Sequence, residues 1–408
     1  MITGIGVISP IGIGKNRFWE NLRRADSNFG PVTLFDTTGL KVNTAGQVSN
    51  FNAKDILVDV NLRDLDRASI LLSCAVKLAI DDAGLKINEN NTKETGIVTG
   101  TTFGSLYSIS EFDKEAVRDG PEYVNPSVFP STVGNSPSSR ASIIFNVKGL
   151  NSTVSTGMCA ALDAVEYSAE SLHFKRAKTI ITGSVEVLSP QIFLGFYKLN
   201  YLAGLKPDSE LVSCPFDIRR NGIILSEGSA AYILESNDSA KERKAKIYAE
   251  ILGIGSSFDT ARFYNYNPKG TGMKEAMSLA LCDAGLAAQD IDCIFANANS
   301  TIDADFIETE AIKEVFGEHA YKIPVTAVKS IIGEGYSVSG GMAIVSAIGA
   351  LTQGFIPATK NLEKPDPRCD LDYVADKPRS KKLSKIMINT FAPNGANTTL
   401  IIGRADEN

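Results

Sequence analysis

Short apolar runs bounded by glycine or charge recur along this chain in two matching sets. Lys77-Leu-Ala-Ile-Asp-Asp-Ala-Gly-Leu85 reads as a helix ending on Asp-Ala-Gly-Leu, and Ser278-Leu-Ala-Leu-Cys-Asp-Ala-Gly-Leu286 ends the same way about half a chain later. The glycine predicts a helix stop, because a residue without a Cβ turns left-handed at little cost. Each helix leads into a short apolar run, Gly96-Ile-Val-Thr-Gly100 and Cys293-Ile-Phe-Ala-Asn297. A second pair, Lys178–Thr182 and Lys385–Asn389, lies at nearly the same separation. Such runs alone fit either a buried strand or a turn of buried helix; their matched spacing favours strands. An internal duplication of this kind predicts an α/β fold of two halves, each with helices flanking short buried strands. The polar stretch Ser236–Lys244 sets the boundary, giving halves of 1–240 and 245–408. The last strands predict a hairpin, Lys385–Thr390 with Thr398–Gly403, around Ala392-Pro-Asn-Gly-Ala396.

Composition narrows the classes. A length of 408 residues with 43% hydrophobic and 22% charged residues suits a soluble globular protein of two domains or one duplicated unit. The net charge of −6, without a Lys/Arg-rich run, argues against nucleic acid as a partner. No stretch of about 18 apolar residues predicts a membrane span. The N-terminus has no signal-peptide pattern, which makes the cytoplasm the expected compartment. The six cysteines are scattered without a Cys-x-x-Cys, so neither zinc nor a disulfide framework is indicated. Only two histidines occur, His173 and His319.

Four blocks then carry a resemblance. Ile2-Thr-Gly-Ile-Gly-Val-Ile-Ser-Pro-Ile-Gly12 opens the chain; Cys214-Pro-Phe-Asp-Ile-Arg-Arg-Asn-Gly-Ile-Ile-Leu-Ser-Glu-Gly228 follows; then come Val328-Lys-Ser-Ile-Ile-Gly333 and Ile356-Pro-Ala-Thr-Lys-Asn-Leu362 with Pro365-Asp. Together, in this order, they resemble the β-ketoacyl synthase family, which implies a duplicated thiolase-like fold of two αβαβα halves. In that family a cysteine at a helix N-terminus takes an acyl chain, helped by the helix dipole. Backbone N–H groups hold the oxyanion. Two histidines assist decarboxylation of malonyl-carrier protein, and a lysine orients one of them. No cofactor and no metal are implied.

Carried over residue by residue, the resemblance finds those positions changed. The nucleophile's turn is Val154-Ser-Thr-Gly-Met-Cys-Ala-Ala-Leu162, and family spacing from Gly149, Gly183 and Glu186 lands on Met158. A thioether forms no thioester. The first histidine slot, in Asn297-Ala-Asn-Ser-Thr301, holds Asn299, and the second holds Glu334. A carboxylate there would repel malonate. Lys329 is retained; it reads as a buried ion paired with Glu334 rather than as a catalytic remnant. The glycine-rich gate reads Phe391-Ala-Pro-Asn-Gly-Ala-Asn397, which should be stiffer. This pattern resembles the chain length factor, the ketosynthase-like subunit of type II polyketide synthases. That resemblance implies an inactive chain in a heterodimer with an active ketosynthase, meeting the acyl carrier protein mainly through its partner.

Other residues carry plainer readings. Cys159 is one helical step from the slot, about 100° round, so an inert buried thiol is expected. Met158 is expected to fill the vacated cavity. Asp163 and Glu166 read as charges complementing a helix N-terminus, His173 as a helix-end residue and His319 as a surface-loop residue. Leu162, Val165, Ala169 and Leu172 should share a buried helix face. Leu150–Thr156 corresponds to the family's dimer edge strand. Phe103, Leu106, Tyr107 and Ser110 are spaced to share one helical face. The resemblance makes Phe103, Leu106 and Tyr107 candidates for ending the polyketide channel at the interface, with Val128 as a neighbour; core packing is the alternative. Two other roles stay open: an active synthase or malonyl decarboxylase using Cys159, and a scaffold without effect on product length.

Overall fold

A computed structural model describes residues 1–260 and 265–405. Its two main sheets repeat one plan. In the first, Ile2–Ser9 pairs antiparallel with Gly228–Glu235, which pairs antiparallel with Thr179–Glu186. Thr95–Gly100 and then Asn151–Val154 follow in parallel, and Gly12–Ile13 adds a sixth strand at the other edge. In the second, Glu250–Phe258, Ala396–Gly403 and Lys385–Phe391 are antiparallel neighbours, and Cys293–Phe295 and Val325–Thr326 follow in parallel. Strand order and pairing sense match, so the duplicated thiolase-like α/β fold is present. The paired strands at 178–182 and 385–389, and the C-terminal hairpin, form as their patterns predict.

The repeated helices end as the sequence implies. Arg67–Ala83 and Thr271–Ala284 are followed by Gly84 (φ 58) and Gly285 (φ 63) in the left-handed region. There, Leu85 N–H donates to the Ile80 carbonyl and Leu286 N–H to that of Leu281, both at 3.0 Å, which satisfies carbonyls the helix leaves open.

Two further helices, Ala160–His173 and Ser337–Gln353, lie in the core. Ser337–Leu351 is buried throughout, the mark of a helix with no solvent face. Leu162 and Val165 on one and Ile344, Val345 and Ile348 on the other join a core that includes both sheets. Trp19 Nε1 donates to the Val345 carbonyl at 2.8 Å. Leu162 and Val165 are buried as expected, while Ala169 and Leu172 are only partly so.

The sheets differ at their parallel edges. Val325–Thr326 is covered by the following chain, with Val325 N–H donating to the Asp372 carbonyl and Val374 N–H to that of Val325, each at 2.9 Å. Among the described residues, Asn151–Val154 pairs only with Thr95–Gly100, and Asn151 is exposed. The predicted boundary stretch carries a short helix, Asn237–Glu242. No helix among the described residues is long and apolar enough to cross a membrane.

Candidate functional site

The site forms where the N-terminus of the Ala160–His173 helix meets loops from the second half. Strand Thr95–Gly100 approaches that helix so closely at Gly100 that a Cβ there would strike the Ala160 carbonyl. The turn Gly157–Cys159 lies beside the 391–397 loop, with Gly157 close to the Asn394 side chain. Met158 is buried and lines an inner cavity of about 310 Å³ with Phe103, Leu106, Ile192 and Phe196. The expectation that Met158 fills the vacated space is therefore corrected: the unbranched side chain leaves a cavity.

Cys159 points elsewhere. Its Sγ donates to the Thr390 carbonyl at 3.2 Å, and it borders neither this cavity nor the cleft described below. Burial, with the Asp163 carboxylate nearby, pushes its thiol up to about 12, where little thiolate exists.

The two former histidine slots and the lysine meet as a buried cluster. Lys329 Nζ donates to Glu334 Oε2 at 2.9 Å and to Asn297 Oδ1 at 2.8 Å. Asn299 Nδ2 donates to the same Glu334 oxygen at 3.3 Å, and Glu334 Oε1 accepts from Tyr336 N–H at 2.9 Å. Asn299 Oδ1 accepts from the Thr301 hydroxyl at 2.8 Å. Each group is satisfied by another of the cluster or by backbone, and none offers a neutral imidazole N–H to a substrate carbonyl.

The strand expected over Cys293–Asn297 stops at Phe295, and Asn297 and Asn299 lie in the loop that follows. Glu308 accepts from the Asn297 and Ala298 N–H groups at 2.9 and 2.8 Å, and Asp305 from Asn299 N–H at 2.9 Å. Side chains of one helix, Ile302–Phe316, thus replace the sheet's hydrogen bonds. Burial raises both carboxyls, Glu308 to about 7 and Asp305 to about 6. Glu186 plays the same part in the first half. It accepts from Phe103 N–H at 3.3 Å and from the Ser337 hydroxyl at 2.8 Å, bonds Thr102 N–H, and is raised by burial to about 7. Glu186 served in the sequence only as a counting landmark, and nothing there signalled Asp305 or Glu308.

The proposed channel residues separate. Phe103 precedes the helix, which spans Leu106–Asp119; Gly104 (φ 52) breaks the chain between them. Phe103 and Leu106 face the inner cavity. Tyr107 is 47% exposed and borders a different cavity of about 170 Å³ with Phe35 and Asp66. Val128 is half-buried in a turn and lines none of the described cavities. The shared helical face is corrected accordingly.

Asp163 and Glu166 do more than complement a helix dipole. Asp163 accepts from the Thr398 hydroxyl at 2.5 Å and Glu166 from that of Ser256 at 2.7 Å, tying the helix to strands of the other half. Burial raises both carboxyls. His173 is exposed at its helix end, and its ring centroid lies 5.2 Å from that of Phe174. His319 is half-buried in a 3-10 turn, with its Nε2 3.5 Å from the Ile291 carbonyl. Neither borders the site. Beyond the inner cavity lies an open cleft of about 950 Å³ lined by Tyr201, Tyr266, Thr301, Lys206 and Arg368 among others.

Comparisons with known proteins bear on the family and the fold. The Beta-ketoacyl synthase N-terminal domain model matches residues 1–240, and the corresponding C-terminal domain model matches 248–363. The "3-oxoacyl-[acyl-carrier-protein] synthase 2" of Coxiella burnetii is 33% identical over 99% of this chain and 98% of its own. A solved structure titled "The ishigamide ketosynthase/chain length factor" superposes with a TM-score of 0.92 at 31% identity, covering 99% of this chain and 98% of that one. Another, of a type II polyketide synthase acyl-carrier protein in complex with its ketosynthase, gives 0.91 at 26% identity, covering 99% and 98%.

Proposed function

Because the chain belongs to the β-ketoacyl synthase family, we propose that it is a non-catalytic chain length factor: the partner of an active ketosynthase in a type II polyketide synthase, shaping the channel and the product length. One observation carries the reading. The nucleophile position is a buried thioether, and the two histidine positions are an amide and a carboxylate bonded to each other and to Lys329. The open edge Asn151–Val154 supports a heterodimer, since an unpaired edge strand is a liability until a partner covers it. Phe129, Val133 and Ile143, exposed apolar residues in the segment leading to that strand, extend the surface a partner would bury.

The test is co-expression with a ketosynthase that has an intact Cys-His-His set. A heterodimer burying more than about 2,000 Å² is expected. The isolated chain should show no condensation, and after incubation with acyl-carrier protein its intact mass should be unchanged. Acylation at Cys159 would instead make the chain a synthase, as its curated relatives are named. Met158→Cys alone should not create condensation activity, because Asn299 and Glu334 still lack the imidazole chemistry. Length control is read by mass spectrometry of the products. Phe103→Ala should lengthen the product by one or more extender units, whereas Tyr107→Ala, which does not enlarge the inner cavity, should not. Unchanged length in Phe103→Ala with a lowered melting temperature would reduce the chain to a scaffold.

A further inference from the structure

A single layer of side chains separates the open cleft from the inner cavity. Phe196, Leu199, Tyr336 and Pro393 face both spaces. Met158 faces only the inner one, and Tyr201, Tyr266 and Thr301 only the cleft. Tyr336 is firmly held within that layer. Its ring centroid lies 5.1 Å from that of Phe103 and 4.9 Å from that of Phe196, and the residue is 9% exposed.

Its backbone is unusual for a bulky residue. At φ 55 and ψ −119, Tyr336 makes the turn that opens the Ser337–Gln353 helix, with Val338 N–H donating to the Gly335 carbonyl at 3.2 Å. Glycine takes this conformation freely, and a side chain resists it. Glycine at 336 would therefore suit the turn while removing the ring from the layer. The two spaces also differ chemically. Lys206, Asp303 and Arg368 border the cleft, whereas Phe103, Leu106 and Ile192 border the inner cavity.

We infer that Tyr336 is a barrier residue. It closes the inner cavity against the cleft, so that a linear apolar ligand such as an acyl chain reaches Met158 from the side lined by Thr102, Phe103, Leu106 and Ile192 rather than from the cleft. The inference concerns access alone and holds whether or not the chain is catalytic.

The test places a reporter thiol in the inner cavity with Met158→Cys. Labelling at 158 is followed by tandem mass spectrometry of the peptide, which separates it from buried Cys159 and exposed Cys282. Two reagents are compared: N-ethylmaleimide, and a maleimide with a long sulfonated tail suited to the polar cleft. Taking the ratio of their rates cancels changes in the thiol's own reactivity. Adding Tyr336→Gly should raise the ratio of tailed to small reagent several-fold, and adding Tyr336→Phe should leave it unchanged. Should the glycine variant not fold, Tyr336→Asn gives the same readout with a shorter side chain. An unchanged ratio in a folded glycine or asparagine variant overturns the inference, as does an equal rise in Tyr336→Phe.

Discussion

Two buried ionic clusters, one in the intact signature and one in the altered site, answer different demands. In the first, Asp217 accepts from Arg219 Nε at 2.9 Å and from the Glu363 and Lys364 N–H groups at 2.8 and 2.7 Å. Beside it, Arg220 reaches Asp366 at 2.9 Å and the Asp217 carbonyl at 3.0 Å. This cluster pins the 214–221 loop to the 361–366 segment largely through backbone groups. The second cluster, Lys329 with Glu334 and Asn299, is largely a closed exchange among side chains. The comparison teaches why the signature blocks persist where the catalytic set does not: backbone ties are irreplaceable by local change, whereas side chains that satisfy each other can be exchanged together.

The largest effect expected from this contrast is at Asp217. Asp217→Ala removes the carboxylate that accepts from the Arg219, Glu363 and Lys364 N–H groups and pairs with the Arg219 guanidinium, and should cost about 3–5 kcal/mol in denaturant unfolding. No single second substitution should recover it. A loss below about 1 kcal/mol would dissolve the distinction between the clusters.

Lys329→Met should cost about 3 kcal/mol by stranding the Glu334 carboxylate in a buried site. Here the double variant Lys329→Met with Glu334→Gln should recover most of the loss, because a neutral amide still accepts from Tyr336 N–H. If the double variant is as unstable as the single one, the second cluster is as irreplaceable as the first.

The carboxyls also separate along the pH axis. Although burial works to raise Asp217, hydrogen bonds from Arg219, Lys364 and Glu363 hold it down to about 2. Its contribution is therefore complete above the ordinary carboxylate range and is lost as pH falls towards 2. Glu186 and Glu308, raised by burial from 4.5 to about 7, act in the opposite sense. The folded protein binds their protons more tightly than the unfolded chain does, so stability should decline as pH rises from about 4.5 to about 7. For each group the decline is on the order of 3 kcal/mol at most. Glu186→Gln should make that slope shallower and leave the acid limb unchanged; an unaltered slope near neutrality would show that Glu186 ionises freely in the fold.

Much of the fold was legible because its signals are local. The glycine stops at 84 and 285 follow from backbone conformation, and the matched runs from burial on both faces of a sheet. The Lys329–Glu334 pair was legible too, since a lone buried lysine needs a counter-charge. What stayed hidden depends on contacts far apart in sequence. The run to Asn297 looked like strand because nothing local announced that Glu308 and Asp305 would take its N–H groups. Phe103 and Tyr107 looked like one helical face because their spacing is helical, but Gly104 at φ 52 turns the chain before the helix begins. Asp163 and Glu166 looked like local complements to a helix end, while their partners, Thr398 and Ser256, lie in the other half.

The smallest effect is expected at Met158. It occupies the position the family's chemistry depends on, yet its side chain borders a cavity that persists around it. Leucine has similar volume and no polar atom, so Met158→Leu is a volume-conserving change costing less than about 1.5 kcal/mol. If the position has become only a wall, the variant should also leave the partner's condensation rate and product length unchanged when the two are assayed together. The measurement pairs a melting curve with product analysis, because the two readouts separate packing from function. A large fall in product with an unchanged melting temperature would mean that the thioether still acts on the growing chain. The site would then be altered in its chemistry rather than emptied of it, and Met158 would stand with Asp217 as a residue that local change cannot replace.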